Sequence, residues 1–260
     1  MCHDVSGTAI ADLTRVSRLI RIAAVGDLHY VRGGQAALQP WLGRISDAAD
    51  VLVLCGDLTD YGRIEEAQEL SRELSATVRI PIVAVLGNHD FESDQVSGIA
   101  DTFRQAGVNV LDGDTCELLG VGFAGAKGFA GGFGRGALGP WGEPVIKQFV
   151  QEAIAEALKL ETALGRLRTR HTIAVLHYSP IAETATGEPL EIYPYLGCSR
   201  LAEPLARYPV TAVFHGHAHN GAREGRIGET PVYNVSLPLM ARVSPDLPVH
   251  ILTIPADEAT

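Results

Sequence analysis

Carboxylate, amide and imidazole side chains recur directly after short apolar runs in this sequence of 260 residues. The first such run ends in Gly-Asp-Leu-His, which places Asp27 and His29 two residues apart. Residues two apart in an extended chain point the same way, so this carboxylate and this imidazole can share one ion. The pair is short enough to arise by chance, and alone it indicates little.

Two further groups of polar residues follow at intervals of about thirty residues. Asp57 follows the run VLVLCG, with Asp60 beyond it, and Asn88, His89 and Asp90 follow the run IVAVLG. This interval is what a strand–helix–strand unit requires, and ligands of open α/β sheets bind at the carboxyl ends of strands. Asp57 and Asp90 could instead cap helices, and Asn88 could be a turn residue. Repetition of the same context at matched spacing favours a shared site over these separate roles.

Histidines supply the remaining donors. His177 follows the run TIAVL, and three histidines follow the run AVF in the segment HGHAH. Of these three, His217 and His219 share the spacing of the opening pair, whereas His215 is assigned to support or packing. The histidines without such a context are interpreted as structural: His3, His171 and His250.

The chemistry of these donors predicts transition-metal ions. Oxygen and nitrogen donors without a thiolate suit Mn, Fe, Zn or Co better than Ca or Mg. The donors are too many for one tetrahedral ion, and a central carboxylate could bridge two ions. Two ions roughly 3.5–4 Å apart can hold a tetrahedral phosphorus centre and share a nucleophilic hydroxide. The sequence therefore predicts a two-metal site for phosphate esters.

The elements that must position these residues are short strands alternating with amphipathic helices. Continuous apolar runs predict strands that are covered on both faces. Strands are predicted at 22–25, 51–55, 82–86, 108–111, 118–123, 172–176, 210–214, 232–235 and 249–254, and helices at 35–49, 64–77, 95–106 and 145–164. This order favours an α/β fold with two central sheets flanked by helices, in a single domain over residues 1–260.

One segment, residues 120–142, has an unusual composition, with ten glycines in 23 residues. It could form a loop over the site, with Lys127 and Arg135 available to bind an anion. It could also be a connection in which glycines permit close packing, and we favour this mainly structural role.

Composition and charge narrow the function classes. The chain is 46% hydrophobic, which supports a large core, and its formal net charge is −10. Such an acidic protein is not expected to bind nucleic acid non-specifically, and an anionic substrate would need bound cations to reverse the local field. The cysteines are scattered without paired spacing, and neither a secretory leader nor an apolar run of 18 residues is evident. We therefore expect a cytoplasmic protein without a membrane partner. The cysteines are Cys2, Cys55, Cys116 and Cys198.

The ordered motifs DLH, GDLTD, GNHD, a lone histidine after a strand, and GHAH resemble the calcineurin-like metallophosphoesterase superfamily. The resemblance spans residues 23–220. Within the superfamily, the motifs GDLTDYG and GNHD are most similar to those of the bacterial cyclic-nucleotide phosphodiesterase branch. The resemblance implies a four-layer α/β/β/α sandwich of two mixed sheets flanked by helices.

The resemblance also implies a role for each motif residue. One metal would be held by Asp27, His29 and His219, and the second by Asn88, His177 and His217. Asp57 would bridge both metals. His89 would protonate the leaving oxygen or stabilise charge on the phosphoryl group. Asp90 would orient His89, and Asp60 would play a comparable supporting role. Four aromatic residues near the motifs are candidates for stacking on a substrate base: Tyr30, Phe91, Tyr178 and Tyr193.

The implied activity is hydrolysis of small or cyclic-nucleotide-type phosphodiesters by a hydroxide that bridges two metal ions. One alternative is a phosphomonoesterase of the same fold that acts on phosphoproteins or nucleotides. Another is a non-catalytic scaffold with the same fold, although such a scaffold should have lost some of the expected ligands. All seven are present here. A small phosphoester is the expected partner, and assembly into a homo-oligomer is left open.

Overall fold

The computed structural model describes residues 18–256 of the chain. Cys2, His3 and the rest of the N-terminal segment, in which no leader is expected, lie outside the described residues. Within residues 18–256, no helix is both long and apolar enough to cross a bilayer.

Helices and strands alternate through the first half of the described chain. The helices are α1 Gln35–Ala48, α2 Ile64–Thr77, α3 Val96–Gln105, α4 Pro144–Arg166, α5 Tyr193–Leu196, α6 Ala202–Arg207 and α7 Leu237–Val243. The strands are β1 Leu19–Val25, β2 Val51–Cys55, β3 Ile82–Val85, β4 Asn109–Val110, β5 Asp114–Leu118, β6 Val121–Gly125, β7 His171–Val175, β8 Ala212–His215, β9 Glu224–Ile227, β10 Thr230–Asn234 and β11 His250–Pro255.

The strands form two mixed sheets. The first has the order β11-β1-β2-β3-β4, in which β1 to β4 are parallel and β11 is antiparallel to β1. The second has the order β5-β6-β7-β8-β10-β9, with a parallel centre and an antiparallel strand at each edge.

Three apolar clusters hold four layers together. Leu42 and Phe103 belong to the cluster between the first sheet and helices α1 to α3. Val53 and Phe214 belong to the cluster between the two sheets, and Leu160 to the cluster that packs α4 and α6 on the second sheet. The predicted α/β/β/α sandwich is confirmed, because each sheet covers one face with the other sheet and one with helices.

The single strand predicted over 118–123 is wrong. Strands β5 and β6 form an antiparallel hairpin across this region. Leu119 and Gly120 form its turn with φ of 54° and 81°, the positive values that a two-residue hairpin turn of the primed type requires. Strand β5 has no buried residue, so it lacks the apolar run that marks most of the other strands. The short elements β9, α5, α6 and α7 were not predicted either.

The sheet order brings five strand ends together. Strands β1, β2 and β3 are parallel neighbours in the first sheet, and β7 and β8 are parallel neighbours in the second. Each of these strands is followed directly by one of the motif segments. The predicted convergence of the polar residues at carboxyl ends of strands therefore follows from the topology.

Candidate metal centre

The chain leaves these strands through strained backbone. Asp27, His29, Asp57 and His217 have φ of 59°, 43°, 49° and 68°. Left-handed backbone is uncommon in residues other than glycine and costs energy, and it clusters at functional sites. Among the described residues only Asp94 and Leu119 are other non-glycine cases. The strain is thus concentrated on four predicted metal ligands.

Glycines let neighbouring strand exits approach one another. A Cβ atom on Gly87 would overlap the backbone nitrogen and the carboxylate of Asp57. A Cβ atom on Gly216 would overlap the carboxylate of Asp27. The lack of a side chain at these two glycines therefore lets neighbouring strand exits come into contact.

One group of donors consists of Asp27, His29 and His219. Each offers a ligand atom, and these atoms all lie within 4.8 Å of one another. His219 Nε2 lies 3.1 Å from Asp27 Oδ1. The backbone N–H of His217 donates to both oxygens of Asp27, at 3.0 and 2.9 Å, which fixes the orientation of that carboxylate.

A second group consists of Asp27, Asp57, His177 and His217, again with ligand atoms within 4.8 Å of one another. Asn88 belongs beside it, because its Oδ1 lies 2.9 Å from His177 Nε2. Asp27 belongs to both groups, and Asp57, a member of the second, also faces a donor of the first. Asp57 Oδ1 is 3.4 Å from His177 Nε2, and Asp57 Oδ2 is 3.8 Å from His29 Nε2.

Hydrogen bonds at the far nitrogen orient three of the rings. His177 Nδ1 donates to the carbonyl of Cys55 at 2.9 Å, and His217 Nε2 donates to the carbonyl of Tyr195 at 3.1 Å. His29 Nδ1 donates to Asp60 Oδ1 at 3.0 Å. Since the donating nitrogen carries the proton, the other nitrogen of each ring keeps its lone pair for a metal ion.

Burial keeps these imidazoles neutral. Desolvation lowers the pKa of His217 to about 3 and that of His177 well below its usual value, and it also lowers the pKa of His29. The pKa of His219 is raised instead, because it is hydrogen-bonded to Asp27. Neutral imidazole is the form that binds a metal ion.

Three observations indicate that these donors suit metal ions. His29 Nε2 is buried without a hydrogen-bond partner in the part of the chain that the structure describes. The lone pair of His177 Nε2 faces another acceptor, Asn88 Oδ1. Desolvation, followed by the charges of Asp27 and Asp90, raises the pKa of Asp57 to about 9. Cations bound here would give His29 Nε2 a partner and would be attracted to both His177 Nε2 and Asn88 Oδ1. They would also offset the repulsion between the neighbouring carboxylates.

His89 lies at the edge of the same site. Its backbone N–H donates to Asp57 Oδ1 at 2.8 Å, and its ring lies 4.4 Å from the ring of His29, centroid to centroid. Its Nδ1 donates to the backbone carbonyl of Asp60 at 2.7 Å and lies 3.7 Å from the carboxylate of that residue. The side chain is 37% exposed, so its other nitrogen can reach a bound ligand.

The expected role of Asp90 as the partner of the His89 ring is wrong. Asp90 is fully buried, and its carboxylate accepts hydrogen bonds from the backbone of Gly87, Leu58 and Thr59 and from the Thr59 hydroxyl. It therefore fixes the backbone after β2 and β3. The short turn His89–Phe91 directs the Asp90 side chain into the interior, and Asp60 contacts the His89 ring instead.

Two other predicted residues do not belong to the donor groups. Tyr30 is 2% exposed and belongs to the core under α1 to α3, where its hydroxyl donates to Glu73 at 3.4 Å, so its proposed contact with substrate is wrong. His215 is fully buried and lies 2.8 Å from the Thr184 hydroxyl through Nε2, which agrees with support rather than ligation. Of the other candidate aromatics, Phe91 is exposed and Tyr178 is buried.

The contacts made through backbone carbonyls had no signal in the sequence. Neither Cys55 nor Tyr195 was a candidate, because a carbonyl contact leaves no residue-type signature.

Of the glycine-rich segment, residues 121–132 are mostly buried, and Gly122 packs against Leu167 and Thr169. The structural role that we favoured for this segment thus agrees with its packing.

The two cations of the glycine-rich segment lie in different places. Lys127 is buried, and its carbonyl accepts from the backbone N–H groups of His177 and Tyr178, at 3.0 and 3.1 Å. Arg135 is exposed.

Fold and site together define an α/β/β/α sandwich with a cluster of possible metal ligands where the carboxyl ends of strands from both sheets meet. Residues 20–221 match the family model of the calcineurin-like phosphoesterases, and the chain belongs to this family. It is accordingly placed among the metal-dependent phosphoric ester hydrolases. No curated protein sequence matches the chain.

Solved structures support the fold. The protein TT1561 of Thermus thermophilus is 16% identical with a TM-score of 0.55, and the match covers 92% of this chain and 100% of that one. A Staphylococcus aureus protein provisionally named a 5′-nucleotidase, solved in complex with α-ketoglutarate, is 15% identical with a TM-score of 0.53. That match covers 91% of this chain but 51% of the other. At these identities the likeness concerns the fold alone.

Proposed function

We propose that this protein is a two-metal phosphodiesterase for small or cyclic-nucleotide-type phosphodiesters. The observation that carries the proposal is that two donor groups meet at Asp27, and that the two oxygens of Asp57 face His177 of one group and His29 of the other. A single ion would leave donors of one group unused, whereas two ions engage both.

Each predicted ligand has a place in this arrangement. We assign Asp27, His29 and His219 to one ion and Asn88, His177 and His217 to the other, with Asp57 shared. When bound, two such ions supply Lewis acidity toward the phosphoryl oxygens and activate a water molecule as nucleophile. The protein holds the donors rigidly through the strained strand exits and the carbonyl contacts described above.

His89 is assigned to the leaving group. With Nδ1 donating to the Asp60 carbonyl, a protonated His89 presents Nε2–H for donation to the departing oxygen. The Asp60 carboxylate lies 3.7 Å from His89 Nδ1. An alkoxide leaving group needs this proton, because its conjugate acid has a pKa far above 7.

A diester is preferred over a monoester on charge grounds. The chain carries a formal net charge of −10, and a phosphodiester brings one negative charge where a monoester brings two. A phosphomonoesterase is the second candidate, supported by the fold similarity to the provisionally named 5′-nucleotidase of Staphylococcus aureus.

The test is turnover of three substrates after reconstitution with Mn, Fe, Zn, Co or Mg. We expect 3′,5′-cyclic AMP and bis(4-nitrophenyl) phosphate to be hydrolysed faster than 4-nitrophenyl phosphate. A reversed order would favour the monoesterase. Failure on all three with every metal would contradict both candidates.

The shared role of Asp57 has its own test. Asp57→Asn is expected to lower the occupancy of both ions together, because the amide cannot supply a bridging carboxylate. Elemental analysis after dialysis measures the occupancy. Asp114→Asn, at an exposed carboxylate on β5, is the matched control and is expected to keep both ions. Loss of one ion only would contradict the bridge.

A further inference from the structure

A cavity of about 350 Å³ lies beside the candidate metal centre. It is lined by residues that follow β3, β4 and β6, including Leu86, Asp112 and Lys127, and by residues of α3 and α4. The cavity therefore opens at the same ends of the sheets as the metal centre. Its size is within the range of pockets for small molecules.

The walls of the cavity differ in character. One wall is apolar and includes Leu86, Val96 and Val110. The charged side chains of the cavity come from α3, α4 and the segments after β4 and β6, and most of them are already paired. Lys159 Nζ contacts Asp112 at 2.7 Å and Glu156 at 2.8 Å, and Arg104 contacts Asp101 at 3.4 Å.

Two charged residues of the lining, Lys127 and Glu152, form no ion pair within the described residues, and Lys127 is the buried one of the two. The charges of Glu156 and Glu152 act on Lys127 without contacting it as ion pairs. Lys127 is 8% exposed, and its Nζ donates to the Gly128 carbonyl at 2.9 Å. The oxygens of the nearby Glu156 accept from Lys159 Nζ and from the backbone of Gly128. A buried ammonium with two free donors is costly unless an anion or water supplies acceptors.

Aromatic rings surround the Lys127 ammonium. Its Nζ lies 5.2 Å from the ring centroid of Phe91, 4.8 Å from that of Phe129 and 5.4 Å from that of Tyr178. These rings stabilise the cation and hold it in one place, but they accept no conventional hydrogen bond. The amino group is thus positioned and left available to a ligand.

The cavity lies beside the turn that carries His89. Phe91 lines it and belongs to the same short turn as His89, which we assign to the leaving oxygen. The carbonyl of Lys127 accepts from the backbone of His177, a predicted metal ligand. The Tyr178 ring that contacts Lys127 also lies 4.6 Å from the His217 ring.

We propose that this cavity holds the leaving-group part of the substrate and that Lys127 binds an anionic group on that part. The substrate class is then a phosphodiester whose leaving alcohol or phenol carries a carboxylate or a second phosphate. The proposal rests on the proposed function for the direction of the leaving group. The apolar wall accommodates the carbon skeleton that joins the two anionic groups.

Binding of a free leaving group tests the cavity without turnover. Calorimetry on the metal-loaded protein compares 4-hydroxybenzoate with its neutral isostere 4-hydroxybenzamide. We expect wild-type protein to bind the carboxylate roughly ten- to a hundredfold more tightly, as a charged hydrogen bond provides. Equal affinity for the two probes would overturn the proposal.

Two variants locate the source of the preference. Lys127→Met is expected to bind both probes about equally, whereas Lys147→Met, at an exposed lysine of α4 outside the cavity lining, is expected to keep the preference. A preference that persists in Lys127→Met would show that the carboxylate binds elsewhere, such as at the metals, and would overturn the proposal. The wild-type comparison stands even if the Lys127 variant does not fold.

Turnover separates this proposal from the proposed function. Methyl 4-carboxyphenyl phosphate and methyl 4-carbamoylphenyl phosphate share a phosphodiester and differ in one charge on the leaving group. We expect a ratio of kcat/KM values of at least ten in wild-type protein and near one in Lys127→Met. A ratio near one in wild-type protein would overturn the cavity assignment. Absence of hydrolysis with carboxylate-selective binding intact would overturn the phosphodiesterase and support the cavity.

Discussion

At the scale of single residues, the site depends on backbone contacts as much as on its donors. His177, His217 and His89 each donate a ring N–H to a carbonyl oxygen, of Cys55, Tyr195 and Asp60. A carbonyl only accepts, so each contact sets which nitrogen carries the proton. The protonation pattern of the site is therefore built into the path of the main chain.

His89 allows a test by leaving group. His89→Ala is expected to keep both ions but to lower kcat/KM for 3′,5′-cyclic AMP by about 10²–10⁴-fold, because an alkoxide needs a proton to depart. Bis(4-nitrophenyl) phosphate should lose less, since its leaving group is less basic. Initial rates and elemental analysis on the same samples check this. Equal losses on both substrates would argue against proton donation.

Asp90 is expected to act on stability. Asp90→Ala leaves the buried backbone N–H groups of Gly87 and Thr59 without their acceptor and should lower the free energy of unfolding of the metal-free protein by about 3 kcal/mol. The cost of burial, which raises the pKa of Asp90, offsets part of this gain in wild-type protein. Urea denaturation measures the change. Asp60→Ala, at a partly exposed carboxylate, is the control and should cost less than about 1 kcal/mol.

At the scale of elements, the strand exits bring the donors together. Parallel β1, β2 and β3 deliver three motif segments to one edge, and the facing β7 and β8 deliver two more. The segments that leave neighbouring strands must then contact one another. Glycine at positions 87 and 216 permits this, because a side chain there would overlap a neighbouring segment.

Gly87→Ala tests this close approach. The added Cβ would overlap Asp57 and should displace it, so metal occupancy and turnover are expected to fall at least tenfold. Gly43→Ala, on helix α1, is the matched control, because its Cβ would meet only Thr77 Cγ2 at 3.9 Å. That control should leave metal binding intact and stabilise the protein by about 0.5–1 kcal/mol. Equal metal binding by the two variants would contradict the steric argument.

Strand β11 provides a prediction on pH. His250 is 8% exposed and stacks on Tyr233 with ring centroids 4.1 Å apart, and its burial lowers its pKa to about 4. Because this pKa lies below the unfolded value of 6.5, its contribution to stability is complete above pH 6.5 and is lost as the pH falls toward 4.

The expected difference is measurable against a variant that cannot titrate. Between pH 7 and pH 5, the metal-free wild-type protein should lose about 2 kcal/mol more free energy of unfolding than His250→Phe. Phenylalanine keeps a ring against Tyr233, so the packing is preserved. The other titrating groups are the same in both proteins, and their contributions cancel in the comparison. Parallel losses in both proteins would contradict the lowered pKa.

At the scale of the whole molecule, two sheets each supply part of one site. Asp27, Asp57 and Asn88 come from the first sheet, whereas His177 and His217 come from the second. The cluster of buried residues between the sheets fixes their relative position. Metal ions at the junction should therefore stabilise the fold as well as supply chemistry.

Metal content and stability test this junction together. After reconstitution with Mn, elemental analysis is expected to give two ions per chain. Ions at about a hundred times their dissociation constant should raise Tm by about 5–10 °C over the chelator-treated protein. No more than a trace of metal after reconstitution would remove the basis of the two-metal site.

The donors themselves were predictable from the sequence, because a short apolar run and the residues that follow it form a local pattern. Spacing of about thirty residues between motifs then indicated parallel strands and a common edge. The single-domain organisation, the cytoplasmic location and the cyclic-nucleotide branch stay predictions.

Only the tertiary structure decided what surrounds the donors. It moved the contact with His89 from Asp90 to Asp60, put Tyr30 into the core, and left the Lys127 ammonium without an ion pair among the described residues, beside a cavity. The physical reason is that these contacts depend on how two sheets stack and on where main-chain carbonyls point. Neither depends on residue type at a fixed spacing, so neither leaves a pattern in the sequence.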